Sequence, residues 1–279
     1  MSMGMRTFTA VLQRLLVLYV FVQVVAGFFV ELPYPYWAGW IPIVAVLAIG
    51  FARRRAARRE IVADPPAPVE VEPPVTGRWS ALNSPADKVP SHGTHSLGQT
   101  YAIDIVAVPE EGPARPAFAW LWPVTRRNRA FPAFGAPLLA AGDATVVHAE
   151  DGRRDHLSRN SLAALLYFFL IEGIGRTVGG ARGIVGNHVV LDLGEGTYAL
   201  YAHVERGSLT VRAGDEVVAG QRLGGCGNSG NSTEPHLHFQ LMDGPDLNVA
   251  RGVPFSWRGI GVPGGGETFT VRAGAVPVP

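Results

Sequence analysis

The chain has 279 residues, 47% of them hydrophobic, with 34 Gly and 22 Pro. That length holds one large or two modest domains, and the composition suits short strands and many turns rather than a helical bundle. Basic and acidic residues, 24 against 23, nearly cancel to a net charge of +1, which argues against nucleic acid as a general partner, and the single cysteine excludes an intramolecular disulfide framework.

The N-terminus is strongly apolar. No charged residue stands between Leu15 and Val30, and none between Glu31 and Arg53. Two hydrophobic stretches, Val11 to Val30 and Leu32 to Phe51, each approach the ~20 residues that cross a bilayer. Tyr34, Tyr36, Trp37 and Trp40 cluster at the connection, as interfacial aromatics do. The second run, and the lack of a small-residue cleavage pattern between the two, favour a retained hairpin over a cleaved signal peptide. Residues 1–52 are therefore expected to form a membrane anchor.

Arg53, Arg54, Arg55, Arg58 and Arg59 follow the second stretch. With two spans both ends lie on one side, which the positive-inside rule assigns to the cytoplasm. The side on which the remainder works is left open by the sequence. A Pro- and Glu-bearing run follows, Ala-Asp-Pro-Pro-Ala-Pro-Val-Glu-Val-Glu-Pro-Pro, so residues 53–75 read as a basic, then extended Pro-rich linker. Residues 76–258 are expected to form the folded domain and 259–279 a Gly/Pro-rich tail.

Within the domain, Thr145 to Val147, Asn187 to Asp192, Tyr198 to Val204 and Leu237 to Leu241 read as strands joined by Gly-rich turns. Ser208 to Val211 and Glu216 to Val218 flank Ala213-Gly214-Asp215 as a hairpin-like connection. The expected fold class is mainly β, an antiparallel sandwich or barrel-like core. Ser161 to Gly175 interrupts it with an apolar segment too short to span a membrane, expected to be a helix inserted beside the functional groove.

The residues that carry chemistry are histidines. In Pro235-His236-Leu237-His238-Phe239, strand alternation puts His236 and His238 side by side on one face. Converging imidazoles are what a zinc site requires, but a pair is not a full ligand set. Upstream, His92 and His95 stand in a glycine-bearing loop, and Asp104 lies between Ile103 and Ile105, on the face opposite two apolar residues. Tyr201-Ala202-His203 supplies a further histidine, and Gly227-Asn228-Ser229-Gly230-Asn231-Ser232 is a turn-forming loop that leads into the His236/His238 strand. His148 and His156, near the Asp151-Gly152 turn, read as surface or loop groups, His188 as a structural residue of a core strand, and Cys226 as a small buried hydrophobe.

Taken together these elements resemble the lysostaphin-like (LytM-type) zinc endopeptidases, which cut the peptides of bacterial cell walls. The match rests on His95 with Asp104, on Tyr201-Ala202-His203, on Val217 to Gly224 and on Gly227 to Phe239, in the family's order across most of residues 90 to 245. The resemblance implies Zn2+ held by an upstream histidine, Asp104 and His238, with His236 and His203 as catalytic residues flanking the water, as general base and stabiliser of the oxyanion. His95 is favoured over His92 as the first ligand because its connection to Asp104 is shorter and leaves less loop to order. A peptidoglycan substrate is implied, together with the membrane, a bacterial plasma membrane, as the anchoring partner. One competing reading is an inactive relative that binds wall or activates another hydrolase, which loss of these residues would favour. Another is a biotinyl-lipoyl-type carrier, which needs a lysine at the hairpin tip. Lys88 is the only lysine.

Overall fold

A computed structural model of the chain describes residues 3–63, 67–112 and 114–272. Two long helices, α1 (Met3–Ala26) and α2 (Trp40–Ala63), form a hairpin. Gln23 Nε2 donates to the Gly39 carbonyl near its turn (3.0 Å), and Arg53 Nη1 donates to Gln13 Oε1 at its open end (2.8 Å). Phe8–Ala26 and Tyr36–Ala56 are long and apolar enough to cross a bilayer and are almost wholly unburied by the rest of the chain. The second apolar helix begins later than Leu32, because residues 27–39 are used by the turn and a short 3-10 segment, Tyr36–Gly39.

The domain contains β1 (Val69–Val71), β2 (Gly77–Asn83), β3 (Ile103–Ala107), β4 (Pro137–Leu139), β5 (Ala144–Glu150), α3 (Leu162–Tyr167), α4 (Gly173–Val178), α5 (Gly180–Val185), β6 (His188–Asp192) and β7 (Tyr198–Ala202). It continues with β8 (Glu216–Val217), β9 (Arg222–Gly225), β10 (Leu237–Met242), β11 (Gly252–Val253), β12 (Phe255–Trp257) and β13 (Thr268–Val271). The main sheet is antiparallel and runs β13-β2-β3-β10-β7-β6-β5-β8, with β11 on the end of β10. The expected mainly β, antiparallel class is what the chain adopts.

Alternation gives the sheet two faces. Ile103, Ile105, Val189, Leu191, Tyr201 and Phe239 point to one side, where they pack with Trp79, Phe255, Trp257 and Phe269 into the main core. Small sheets β1-β12 and β4-β9 close that side. On the other face Val190, Leu200, Ala202 and Met242 pack against Ala181 and Val185 of α5. Tyr201 is fully buried, and its hydroxyl oxygen accepts the Ala141 backbone N–H at 2.8 Å. Tyr201→Phe is therefore expected to destabilise the domain by about 1–3 kcal/mol, the cost of a buried donor left unpaired, measurable by denaturant unfolding.

Two expected boundaries are corrected. The Pro-rich run is not a free spacer throughout. Val69-Glu70-Val71 pairs in parallel with Phe255-Ser256-Trp257, and Val71 and Val75 enter the core, because a short Val-x-Val alternation buries apolar groups despite its flanking prolines. The Gly/Pro-rich tail likewise contributes an edge strand, β13, antiparallel to β2 with Phe269 and Val271 in the core. Residues 273–279 of that tail lie outside the described residues, as do 64–66 of the linker. Ser208 to Val211 is not a strand, although Thr210 is bonded to residues 222 and 223. The interruption after β5 is helical as expected, running from Leu162 to Val178 through α3, a π-turn at Phe168–Glu172 and α4.

Candidate metal centre

The register of four adjacent strand pairs builds the site. His188, Ala202, His238 and Asp104 are successive cross-strand partners on β6, β7, β10 and β3, and Asn83 at the end of β2 pairs with Asp104. Asp104 and His238 alternate with core residues and so share the face opposite the main core. Asn83 reaches that face through a bulge between Ala81 and Asn83, which sets two residues against Asp104 and reverses the side to which Asn83 points.

His203 arrives by a different route. It follows β7, where simple alternation would put it on the Tyr201 side, inside the core. Its φ of 63° is left-handed, a costly conformation for a residue with a Cβ, and it turns the ring back toward His236, with centroids 4.8 Å apart. The glycine loop fixes this arrangement. Gly230 and Gly186 meet so closely that a Cβ on Gly230 would lie 2.4 Å from the Gly186 nitrogen. That contact lets Asn231 N–H bond the Ile184 carbonyl and sets the Ser229 carbonyl 2.8 Å from His203 Nδ1.

The loop before β3 brings a different histidine to Asp104 from the one expected. His92, not His95, stands beside Asp104, with Nε2 2.8 Å from Oδ2. Buried Ser91 is bonded back to the end of its own loop, its N–H to the Thr100 carbonyl and its Oγ to the Ala102 carbonyl at 2.6 Å. This closes the loop on itself and presents the next residue, His92, to the strand. His95 lies instead at the start of a 3-10 turn, Ser96–Tyr101, with Nδ1 3.1 Å from Thr100 Oγ1. Chain length alone misjudged a loop whose ends are tied by local hydrogen bonds.

His92, Asp104 and His238 offer three donor atoms within 4.8 Å of one another. His238 Nδ1 is 2.8 Å from Asp104 Oδ1, and His236 Nε2 is 3.5 Å from the same oxygen. The four histidines and Asp104 line a cleft of about 220 Å³, walled also by Phe168, Ile184 and Asn231.

Each ring's tautomer follows from its outer partner. Gln240 Nε2 donates to the Leu97 carbonyl, so Gln240 Oε1 accepts from His238 Nε2–H at 2.9 Å and leaves Nδ1 as a lone pair. The Ser91 hydroxyl donates to Ala102, so Ser91 Oγ accepts from His92 Nδ1–H at 2.9 Å and leaves Nε2 as a lone pair. His203 Nδ1–H donates to the Ser229 carbonyl, and His236 Nδ1–H to the Glu234 carbonyl at 2.8 Å, so in neutral form both present Nε2 as a lone pair. Lone pairs on His92 and His238 thus face carboxylate oxygens at 2.8 Å. Such a contact is favourable only with a proton or metal cation shared between the partners, and the donor set of two imidazoles and one carboxylate fits zinc.

Electrostatics agree. Burial opposes charge on Asp104, but the charge of a protonated His236 facing it, its close contacts with His236 and His238, and the nearby His92 hold its carboxyl well below the usual carboxylate range. Burial, reinforced by His236 and His238, presses His203 well below the ordinary histidine value, whereas for His236 burial is the largest single effect but is overcome by the Asp104 charge, the contact with Asp104 and the hydrogen bond to the Glu234 carbonyl together, which raise it. The supporting residues Asn83, Ser91, Ser229 and Gln240 were not read from the sequence. Only Gln240 carried a signal, standing two positions after His238 on the same strand face. Gln240→Leu is expected to weaken metal binding by about 10–100-fold, the usual effect of losing an outer-shell partner, as measured by chelator competition.

His188 is buried in β6 as expected, with Nδ1 bonded to the Gly186 carbonyl at 2.8 Å. His148 belongs to β5 rather than to a loop and stacks on His188 at 4.6 Å. His156 braces the glycine loop, with Nε2 3.1 Å from the Gly230 carbonyl, and Cys226 is buried as expected.

Residues 172–249 match the model of peptidase family M23. The chain carries a peptidase M23 domain. The match includes His203, His236 and His238, while His92 and Asp104 join them through the fold. Over 57 residues the chain is 40% identical to the peptidoglycan DD-endopeptidase ShyA of Vibrio cholerae, covering 20% of this chain and 13% of that protein. Over 93 residues it is 37% identical to lysostaphin of Staphylococcus staphylolyticus, covering 32% of this chain and 19% of that one. The chain thus spans less than a fifth of the length of the curated relatives it matches. The solved catalytic domain of lysostaphin from Staphylococcus simulans aligns with 71% of this chain and 92% of that one, at 18% identity and a TM-score of 0.32.

Proposed function

We propose that the M23 domain is a zinc-dependent endopeptidase that hydrolyses peptide bonds in the stems or cross-bridges of bacterial peptidoglycan, and that α1 and α2 anchor it in the membrane. The observation that carries the reading is the convergence of two histidine lone pairs on a buried carboxylate, each fixed by an outer partner. His92, Asp104 and His238 are the zinc ligands, an open three-ligand set. When bound, zinc supplies Lewis acidity that polarises a carbonyl and lets water attack near neutral pH.

The chain's own residues complete the chemistry. His236, with Nδ1–H held by Glu234, presents Nε2 as the proton acceptor, and Asp104 at 3.5 Å favours the imidazolium that results. His203, held by Ser229 through Nδ1–H, stabilises an oxyanion only when Nε2 is also protonated. Burial, with His236 and His238 beside the ring, opposes that form in the resting site. Glu234, buried and paired with Arg115 and Asn160, keeps the His236 segment in place.

The substrate class rests on the peptidoglycan-acting endopeptidase relative and on the assembled residues, all five of which an inactive scaffold would not need. The test is metal analysis of the purified chain with mass spectrometry of digested wall. Near-stoichiometric zinc and newly cut wall peptides are expected, and a metal-free protein that leaves wall intact would refute the reading.

A further inference from the structure

An apolar surface beside the cleft is not explained by catalysis. Residues 118–124, Phe-Ala-Trp-Leu-Trp-Pro-Val, hold Trp120, Leu121 and Trp122 at 72%, 83% and 82% exposure. This loop is stitched to the start of the helical insert, with Leu162 N–H bonded to the Ala119 carbonyl at 3.1 Å and Ser161 Oγ to the Val124 carbonyl at 2.6 Å. The insert continues the apolar surface through exposed Leu166, Phe169, Leu170 and Ile171. Lone exposed apolar groups are ordinary, but a contiguous set of this size with two tryptophans marks an interaction surface.

What covers it follows from its neighbours. α4 packs on α1, and Gly180, just after the insert, lies against the Arg14 guanidinium, so the insert runs back along α1. Leu170 and Ile171 share one apolar groove with Phe21 and Val25 of α1 and Ile43 and Leu47 of α2. The surface is therefore continuous with the flanks of the two candidate spans. Its charged groups are neutralised internally, Glu172 pairing with Arg159 at 2.6 Å and with Arg176 at 3.3 Å. Exposed Arg127 and Arg129 follow the aromatic loop, an order of tryptophan then arginine that suits an anionic headgroup layer.

We propose that the Phe118–Val124 loop and the helical insert form a third membrane-engaging element, which enters the bilayer beside α1 and α2 and keeps the cleft next to the membrane. Phe168 links the two functions, since it belongs to the insert and also walls the cleft. The substrate is then wall peptide lying close to the bilayer. The proposal rests on reading α1 and α2 as spans, and its test separates the two.

The full chain is reconstituted in vesicles containing anionic lipid, with one cysteine introduced at Leu121, Leu166 or Val44 for a polarity-sensitive fluorophore. Cys226 is buried, and burial pushes its thiol pKa up, so it stays unlabelled. Brominated lipid is expected to remove at least about half of the emission from all three positions, as for groups seated at the acyl boundary. Quenching at Val44 but not at Leu121 or Leu166 overturns the third element and leaves the anchor. No quenching at any position overturns both.

Discussion

His92→Ala is expected to strip zinc from the M23 domain and abolish wall hydrolysis, whereas His95→Ala keeps both. The ring of His92 stands 2.8 Å from Asp104, with its other nitrogen held by Ser91, while His95 bonds Thr100. If a protein zinc site binds with about 10–16 kcal/mol spread over its donors, losing one of three costs on the order of 3–5 kcal/mol, about 10²–10⁴-fold in affinity. Competition with a chromogenic chelator reads this directly. Equal zinc affinity in His92→Ala and parent would remove His92 from the ligand set, and loss of zinc in His95→Ala would restore the ligand favoured by the shorter connection.

His236→Ala is expected to separate binding from chemistry. His236 is 3.5 Å from Asp104 and is not one of the three converging donors, so zinc content should stay near that of the parent. Its loss removes the proton acceptor and should lower kcat by about 10²–10⁴-fold, the usual contribution of a positioned general base. The assay is turnover of a soluble peptide mimic, with KM followed separately. A variant with normal zinc and normal kcat would exclude His236 from proton transfer, and a variant that lost zinc would make it a ligand instead.

Much of this site is legible in one sequence because strands report facing through alternation. Asp104 between Ile103 and Ile105, and His238 between Leu237 and Phe239, stand on the site face because their neighbours are buried in the core. The two apolar helices are legible for a simpler reason, a long apolar run with few charges whose length approaches a bilayer's. The signal fails where backbone geometry departs from regular repeats. His203 reaches the cleft only through a left-handed residue, and Asn83 only through a bulge, neither of which alternation foresees. The choice between His92 and His95 depended on Ser91, a small buried residue whose hydrogen bonds fold the loop, rather than on loop length. Val69–Val71 and Thr268–Val271 were hidden by proline and glycine around them, although each is a short alternating strand.

Zinc held by His92, Asp104 and His238 is proposed to let this domain cut wall peptides. This role is tested most directly by digesting purified peptidoglycan with the parent chain and with His238→Ala, with zinc content measured on the same preparations. About one zinc per parent chain and new peptide termini in the digest are expected, with both lost in His238→Ala. A His238→Ala protein that digests wall at the parent's rate would contradict that role.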